Sequence, residues 1–274
     1  MKAAPFDYVR APDAAAAIAL LAAGEGMAKV AGGTQSLGPM LNLRLAQPSQ
    51  LIDVTRLEAL RGFSVLEAGG QRTLRIGAAV THARIEDGEL PDLTRGLLPT
   101  VAAGIAYRAV RNRGTLGGSL AHADPKADWA TTMCLLDARI VILGAGGERV
   151  VAATAFFDGP FTTVLQVDEL LVAVEVPALS DGARWAYRKL CRKPGELAEA
   201  IAAVCIDPAR GVARAALGAL DSMPHVIDGA AAVEALRNPA GVARLLDEIG
   251  LSDPDARQWH AAMLRRAFAD LDAR

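Results

Sequence analysis

Apolar residues recur at helical spacing after Asp13, where Ile18, Leu21 and Ala22 share one face until Gly24 stops the run. Lys29-Val30-Ala31 then reads as a short strand and Gly32-Gly33-Thr34-Gln35-Ser36 as a turn. Leu37, Met40 and Leu41 return to helical spacing before Pro48 breaks the chain, and Gln50-Leu51-Ile52-Asp53-Val54 is the next strand. Together these predict one α/β unit over residues 1–57, too small to bury a core alone. A second unit, residues 58–177, opens with the alternating strand Thr73 to Ala78. A helix from about Asp92 to Ile105 follows, with Leu93, Leu97, Leu98 and Val101 on one side. Ala138 to Leu143 and Glu148 to Ala152 form a hairpin around Gly144-Ala145-Gly146-Gly147, and Leu170 to Pro177 closes the unit. In residues 178–274, Ala186 to Cys191, Ile201 to Ile206 and Val212 to Leu217 predict a three-stranded antiparallel sheet. A final helix, Pro254 to Leu271, sets Trp259, Met263, Leu264, Ala267 and Leu271 on one face. The fold class is therefore α+β.

Composition narrows the function classes. Hydrophobic residues make up 52% and charged residues 22% of the 274, a globular composition, and a net charge of -2 gives no global field to attract nucleic acid. No apolar run approaches the ~20 residues that cross a bilayer, and the start of the chain has no signal-peptide core, so a cytoplasmic protein is expected. Cys134, Cys191 and Cys205 lie far apart without a CxxC pair. They are expected to be buried reduced thiols, and neither a zinc site nor an iron–sulfur cluster is expected in this chain.

Two glycine pairs carry the chemistry. Ala31-Gly32-Gly33-Thr34-Gln35-Ser36 follows a strand and precedes a helix, so its N–H groups can converge on an anion while the glycines permit close backbone approach. Taken singly, such a turn is as readily a steric device. Thr115-Leu116-Gly117-Gly118-Ser119 repeats the glycine pair flanked by hydroxyls about 80 residues on, and two such loops would together enclose an extended ligand bearing a diphosphate. Arg111 and Arg113 raise the local potential or belong to a solvated face. Asp128 can accept hydrogen bonds from a ligand, whereas Asp124 before Pro125 suits a turn. The glycines at 144–147 resemble a dinucleotide fingerprint, but a strand pattern rather than a helix follows them, which excludes that reading. His82 and His122 are lone histidines with structural roles expected.

The pair Ala31 to Leu37 and Arg111-Asn112-Arg113-Gly114-Thr115-Leu116-Gly117-Gly118-Ser119-Leu120-Ala121-His122-Ala123-Asp124-Pro125 resembles the FAD-binding medium subunit of the carbon monoxide dehydrogenase and xanthine dehydrogenase family of molybdenum hydroxylases. The likeness runs over essentially the whole chain, including Tyr187 to Lys193. It implies a two-subdomain FAD fold of the vanillyl-alcohol-oxidase/PCMH type followed by a C-terminal α+β domain, with FAD held noncovalently. By position it implies that Val30, Ala31, Gly32, Gly33, Thr34, Gln35 and Ser36 wrap the diphosphate, and that Thr115, Gly117, Gly118 and Ser119 contact diphosphate and ribityl. Asp128 would bind near the ribityl and flavin end. Ile105 and Leu171 would lie by the ring system, and Lys189 or its neighbour Arg188 would be a basic group near the flavin.

The resemblance further implies a large partner subunit with a molybdenum cofactor, a small partner with two [2Fe–2S] clusters, and a dimer of heterotrimers. Electrons would pass through this FAD to a quinone, cytochrome or NAD. Thr34-Gln35 inserts one residue relative to the usual first loop, and Ser119 stands where relatives often have Asn. A self-sufficient flavin oxidoreductase and a nonenzymatic nucleotide-binding module are the alternatives from other classes.

Overall fold

A computed structural model describes residues 2–273 as three main sheets that share their helices, with one small two-stranded sheet beside them. In the first, β1 (Asp7–Arg10), β2 (Ala28–Ala31) and β3 (Gln50–Asp53) lie parallel in the order β1-β3-β2. The helix Ala14–Ala23 connects β1 to β2; Asp13 caps it, its carboxylate accepting from the Ala16 N–H at 2.7 Å. Gly24 ends it for a packing reason, since a Cβ there would lie 2.6 Å from the Ala28 Cβ. β1 was not anticipated: it is short, and three of its four residues are exposed, so it carries no apolar alternation.

The second sheet is antiparallel. It contains β4 (Phe63–Ala68), β5 (Gln71–Gly77), β6 (Arg139–Gly144) and β7 (Gly147–Ala152). A small hairpin of β8 (Phe157–Gly159) and β9 (Thr162–Thr163) follows, and β10 (Leu170–Pro177) returns to give the order β4-β5-β10-β6-β7. The glycines at 144 and 147 close the tight turn of a hairpin, where they pair with each other. β10 is central and apolar on both faces: Leu171, Val174 and Val176 enter the main core while Leu170, Val172 and Ala173 pack against the first unit. The helix expected over Asp92 to Ile105 is shorter, Leu97–Ala103. The Asp92 carboxylate accepts from the N–H groups of Thr94 and Gly96, and Arg95 and Gly96 take left-handed φ of 54° and 80°, so a turn replaces the first helical turns.

The C-terminal sheet has four strands rather than three. β11 (Arg184–Leu190), β12 (Ala200–Asp207) and β13 (Val212–Gly218) are joined by an edge strand, β14 (His225–Asp228), whose half-exposed residues gave no strand pattern. Helices Ala230–Ala235, Pro239–Glu248 and Pro254–Asp272 follow; the last packs on β11 and β12, and Pro239–Glu248 packs against the last within the same apolar core. In the final helix Trp259 is only partly buried, while His260 is fully buried.

The helix Asp128–Leu135 is buried at all eight positions. It lies between two sheets: Trp129, Met133 and Cys134 share one core with Ile140 and Val174 of the second sheet and with Ala203, Cys205 and Ala216 of the third. A helix covered on every side needs no polar face, which accounts for its run of small and apolar residues. Burial pushes the Cys134 and Cys205 thiols up to about 12, and Cys191 is half-buried rather than buried. No helix among the described residues is long and apolar enough to cross a membrane.

Candidate functional site

The chain leaving β2 supplies the first half of the site. Gly32 to Ser36 form a loop before the helix Leu37–Asn42, and no acceptor among the described residues takes the N–H of Gly32, Gly33, Thr34, Gln35 or Ser36. Thr34 has φ 57°, an uncommon conformation for a β-branched residue that costs on the order of 1–3 kcal/mol. A left-handed residue within such a run gathers successive N–H groups into a concave nest, the backbone device that holds phosphate groups. The Gln35 side chain folds back, donating to the Gly33 carbonyl at 3.0 Å, while Ser36 is exposed. Val30 and Ala31 precede the loop as the end of β2 and fix where it starts.

The second glycine segment is not a loop. Thr115 is the N-cap of the helix Leu116–His122, so Gly117, Gly118 and Ser119 occupy its first turn. Gly118 donates to the Thr115 hydroxyl at 3.0 Å. Gly117 donates to the Ala78 carbonyl at 2.9 Å, Leu116 to Val80 at 3.0 Å, and His82 to Gly114 at 2.9 Å, so the segment is strapped to the chain that continues β5. The N–H groups of Gly117 and Gly118 are thereby spent inside the protein. What this helix start offers a ligand is the half-buried Ser119 hydroxyl.

The two segments touch. A Cβ on Gly33 would stand 1.9 Å from the Arg113 carbonyl oxygen, and one on Gly32 would stand 3.3 Å from the Thr115 hydroxyl. Sequence positions 80 residues apart thus form one continuous wall.

A second cluster lies at the start of the buried helix. The Asp128 carboxylate accepts from the Tyr187 hydroxyl at 2.6 Å and pairs with Lys189 at 2.8 Å; the Lys189 ammonium also donates to the Gly104 carbonyl at 2.8 Å. Burial, then the neighbouring Asp128 charge, raises the Tyr187 phenol well above its ordinary range, so it remains a proton donor. Alternation along β11 puts Lys189 beside Tyr187 on this side, and Arg188 pairs with Asp270 of the last helix instead. Ile105 sits next to Gly104. Its carbonyl and that of Ala106 accept from Arg111, which also grips Glu86 with two nitrogens. Leu171 is buried in β10 at a bulge.

His82 lies under the glycine helix, its Nδ1 accepting from the Trp129 indole N–H at 3.1 Å. Burial, assisted by the charge on Arg111, lowers its pKa to about 4, so it is neutral and structural. The folded value lies below the unfolded 6.5. As pH falls from 6.5 towards 4 the unfolded chain binds a proton that the folded chain refuses, and stability drops by roughly 3 kcal/mol. Melting temperature measured from pH 7.5 to 4.5 should therefore fall more steeply for the parent than for His82→Gln. Parallel profiles would remove His82 from this role.

A cradle of unclaimed backbone donors, abutting a capped helix start within a fold of two sheets plus a C-terminal sheet, suits a cofactor that carries a diphosphate, as the FAD of PCMH-type flavoproteins does. The sequence family "FAD binding domain in molybdopterin dehydrogenase" matches residues 4–179. The carbon monoxide dehydrogenase medium chain of Hydrogenophaga pseudoflava is 39% identical over 199 residues, which is 73% of this chain and 68% of that one. Among solved structures, carbon monoxide dehydrogenase from the same organism superposes with a TM-score of 0.85 at 33% identity, over 100% of this chain and 99% of that one. Quinoline 2-oxidoreductase from Pseudomonas putida 86 does so with 0.83 at 33% identity, over 100% and 99%. The chain belongs to the FAD-binding medium subunits of the molybdenum hydroxylases, and it is an oxidoreductase subunit.

Proposed function

We propose that this chain is the electron-relay subunit of a heterotrimeric molybdenum hydroxylase, assembled as a dimer of heterotrimers. A large partner carries the molybdenum cofactor and oxidises the substrate. A small partner with two [2Fe–2S] clusters delivers the electrons, and this chain passes them to an external acceptor. The observation that carries the reading is the nest of free N–H groups at Gly32 to Ser36 set against the helix start at Thr115. It offers a diphosphate more donors than a merely steric turn requires.

In this reading Val30 and Ala31 align the nest, and Gly32, Gly33, Thr34, Gln35 and Ser36 hold the diphosphate. Thr115, Gly117 and Gly118 shape the opposite wall, where the Ser119 hydroxyl meets the ribityl side. Asp128 takes the ribityl and flavin end, Ile105 and Leu171 border the ring, and Lys189 sets a positive charge beside it. FAD, when bound, supplies the redox chemistry, and the protein supplies position and electrostatics. The visible spectrum of the purified full chain tests the cofactor: flavin bands near a 1:1 ratio are expected, and a colourless chain that takes up no added FAD would refute the reading. Co-purification with a molybdenum-containing subunit tests the assembly, and a chain that oxidises substrate unaided would overturn it.

A further inference from the structure

The segment 108–113 carries three arginines, and two of them are occupied. Arg108 pairs with Glu86 at 2.8 Å and Asp87 at 2.6 Å. Arg111 is paired with Glu86 at 2.7 Å and also holds the carbonyls of Ile105 and Ala106. The guanidinium of Arg113 is exposed and has no ion pair or hydrogen bond among the described residues. Its backbone is the one pressed against Gly33, the carbonyl lying 1.9 Å from where a Gly33 Cβ would stand. An uncommitted cation on a flexible three-methylene stem is thus tethered at the rim of a nest of unclaimed N–H donors.

We propose that Arg113 is the residue that recognises the diphosphate charge, making this site select dinucleotide flavin over flavin that lacks the diphosphate. The inference rests on the FAD reading above and deepens it by naming the charged group. Backbone N–H groups supply direction but only partial charge, whereas a diphosphate brings formal negative charge into a chain of net charge -2. With Arg108 and Arg111 neutralised by Glu86 and Asp87, Arg113 is the member of the segment left to offset it. A guanidinium suits the task because its fork can meet two phosphate oxygens at once.

The test is titration of the full chain, stripped of flavin, with FAD and with riboflavin at low and high salt. Arg113→Ala is expected to raise the FAD dissociation constant on the order of tenfold to a hundredfold at low salt and to flatten its salt dependence, with riboflavin binding unaffected. Arg113→Lys should fall between. Arg95→Ala, an exposed arginine near the C-terminal sheet, controls for loss of net charge and should bind FAD as the parent does. Equal FAD affinity and salt dependence in Arg113→Ala and the parent would overturn the proposal, as would an equal loss in Arg95→Ala or in riboflavin binding. If the parent itself takes up riboflavin but not FAD, the cofactor reading fails, and this one with it. Because the side chain is solvent-exposed, the variant should melt like the parent, and a large fall in melting temperature would point to a structural role instead.

Discussion

Gly33→Val is expected to yield a folded chain holding less than about a tenth of the flavin of the parent, a loss of more than ~1.4 kcal/mol in binding. The Cβ of any residue at 33 points at the Arg113 carbonyl carbon and oxygen, 2.5 and 1.9 Å away, and at the Cα of Gly114, 2.7 Å away. These are backbone atoms, and Gly114 is itself held by the bond from His82 to its carbonyl and by close packing on the His82 ring. The neighbour cannot give way by rotating a side chain, so the nest moves off the helix start. From sequence, a branched Cβ at 33 is expected to block approach of the ligand. The structure gives a different reason: the glycine is required by the other segment. Gly118→Val is milder, because its Cβ would meet the Thr115 hydroxyl at 2.7 Å and its main cost is the cap bond, about 1 kcal/mol. Gly38→Ala, with nothing within 4 Å, should keep its flavin. The measurement is flavin absorbance per chain after gel filtration, and a stoichiometric Gly33→Val protein would show that the two segments do not form one site.

Lys189→Met is expected to cost about 3 kcal/mol of stability, more than any surface pair would, because it leaves the Asp128 carboxylate buried with one partner. Both side chains are nearly enclosed, at 11% and 8% exposure, and the pair bridges the C-terminal sheet to the buried helix. For a chain of this size such a loss lowers the melting temperature by roughly 6–12 °C. The double variant Lys189→Met with Asp128→Asn should recover part of it, since an amide can still accept from Tyr187 without an uncompensated charge. A double variant that melts below the single would contradict the ion-pair account. Arg188→Met, which gives up a half-exposed pair with Asp270, should change stability by less than about 1 kcal/mol.

Legibility from sequence followed burial. β10 and β12, buried on both faces, announced themselves as apolar runs, broken in β10 only by Glu175, and the hairpin at 144–147 was readable from its glycines. The edge strands β1 and β14, mostly exposed or half-exposed, left no period to read; their partners, not their own residues, decide their conformation. The glycine pair at 117–118 pointed to a loop because glycine disfavours helix, yet Gly117 lies against Ala78 with no room for a side chain, so contact overrode propensity. Lys189 could not be separated from Arg188 until alternation along β11 set them on opposite sides. The identity of the neighbour that makes Gly33 indispensable is likewise a fact of contact across 80 positions, which no local pattern encodes.

The buried helix Asp128–Leu135 also sets where this protein can be divided. The match to the FAD-binding domain family ends at residue 179, but the packing does not stop there, because Trp185, Ala203, Cys205 and Ala216 close the far flank of that helix. The border of that domain match and the border of the folding unit are therefore different lines. A fragment cut at the first would carry both glycine segments and still leave its central helix stripped along one side, with Asp128 bereft of Tyr187 and Lys189. The C-terminal region is in this sense less an appended module than the missing half of the wall on which the cofactor domain is built.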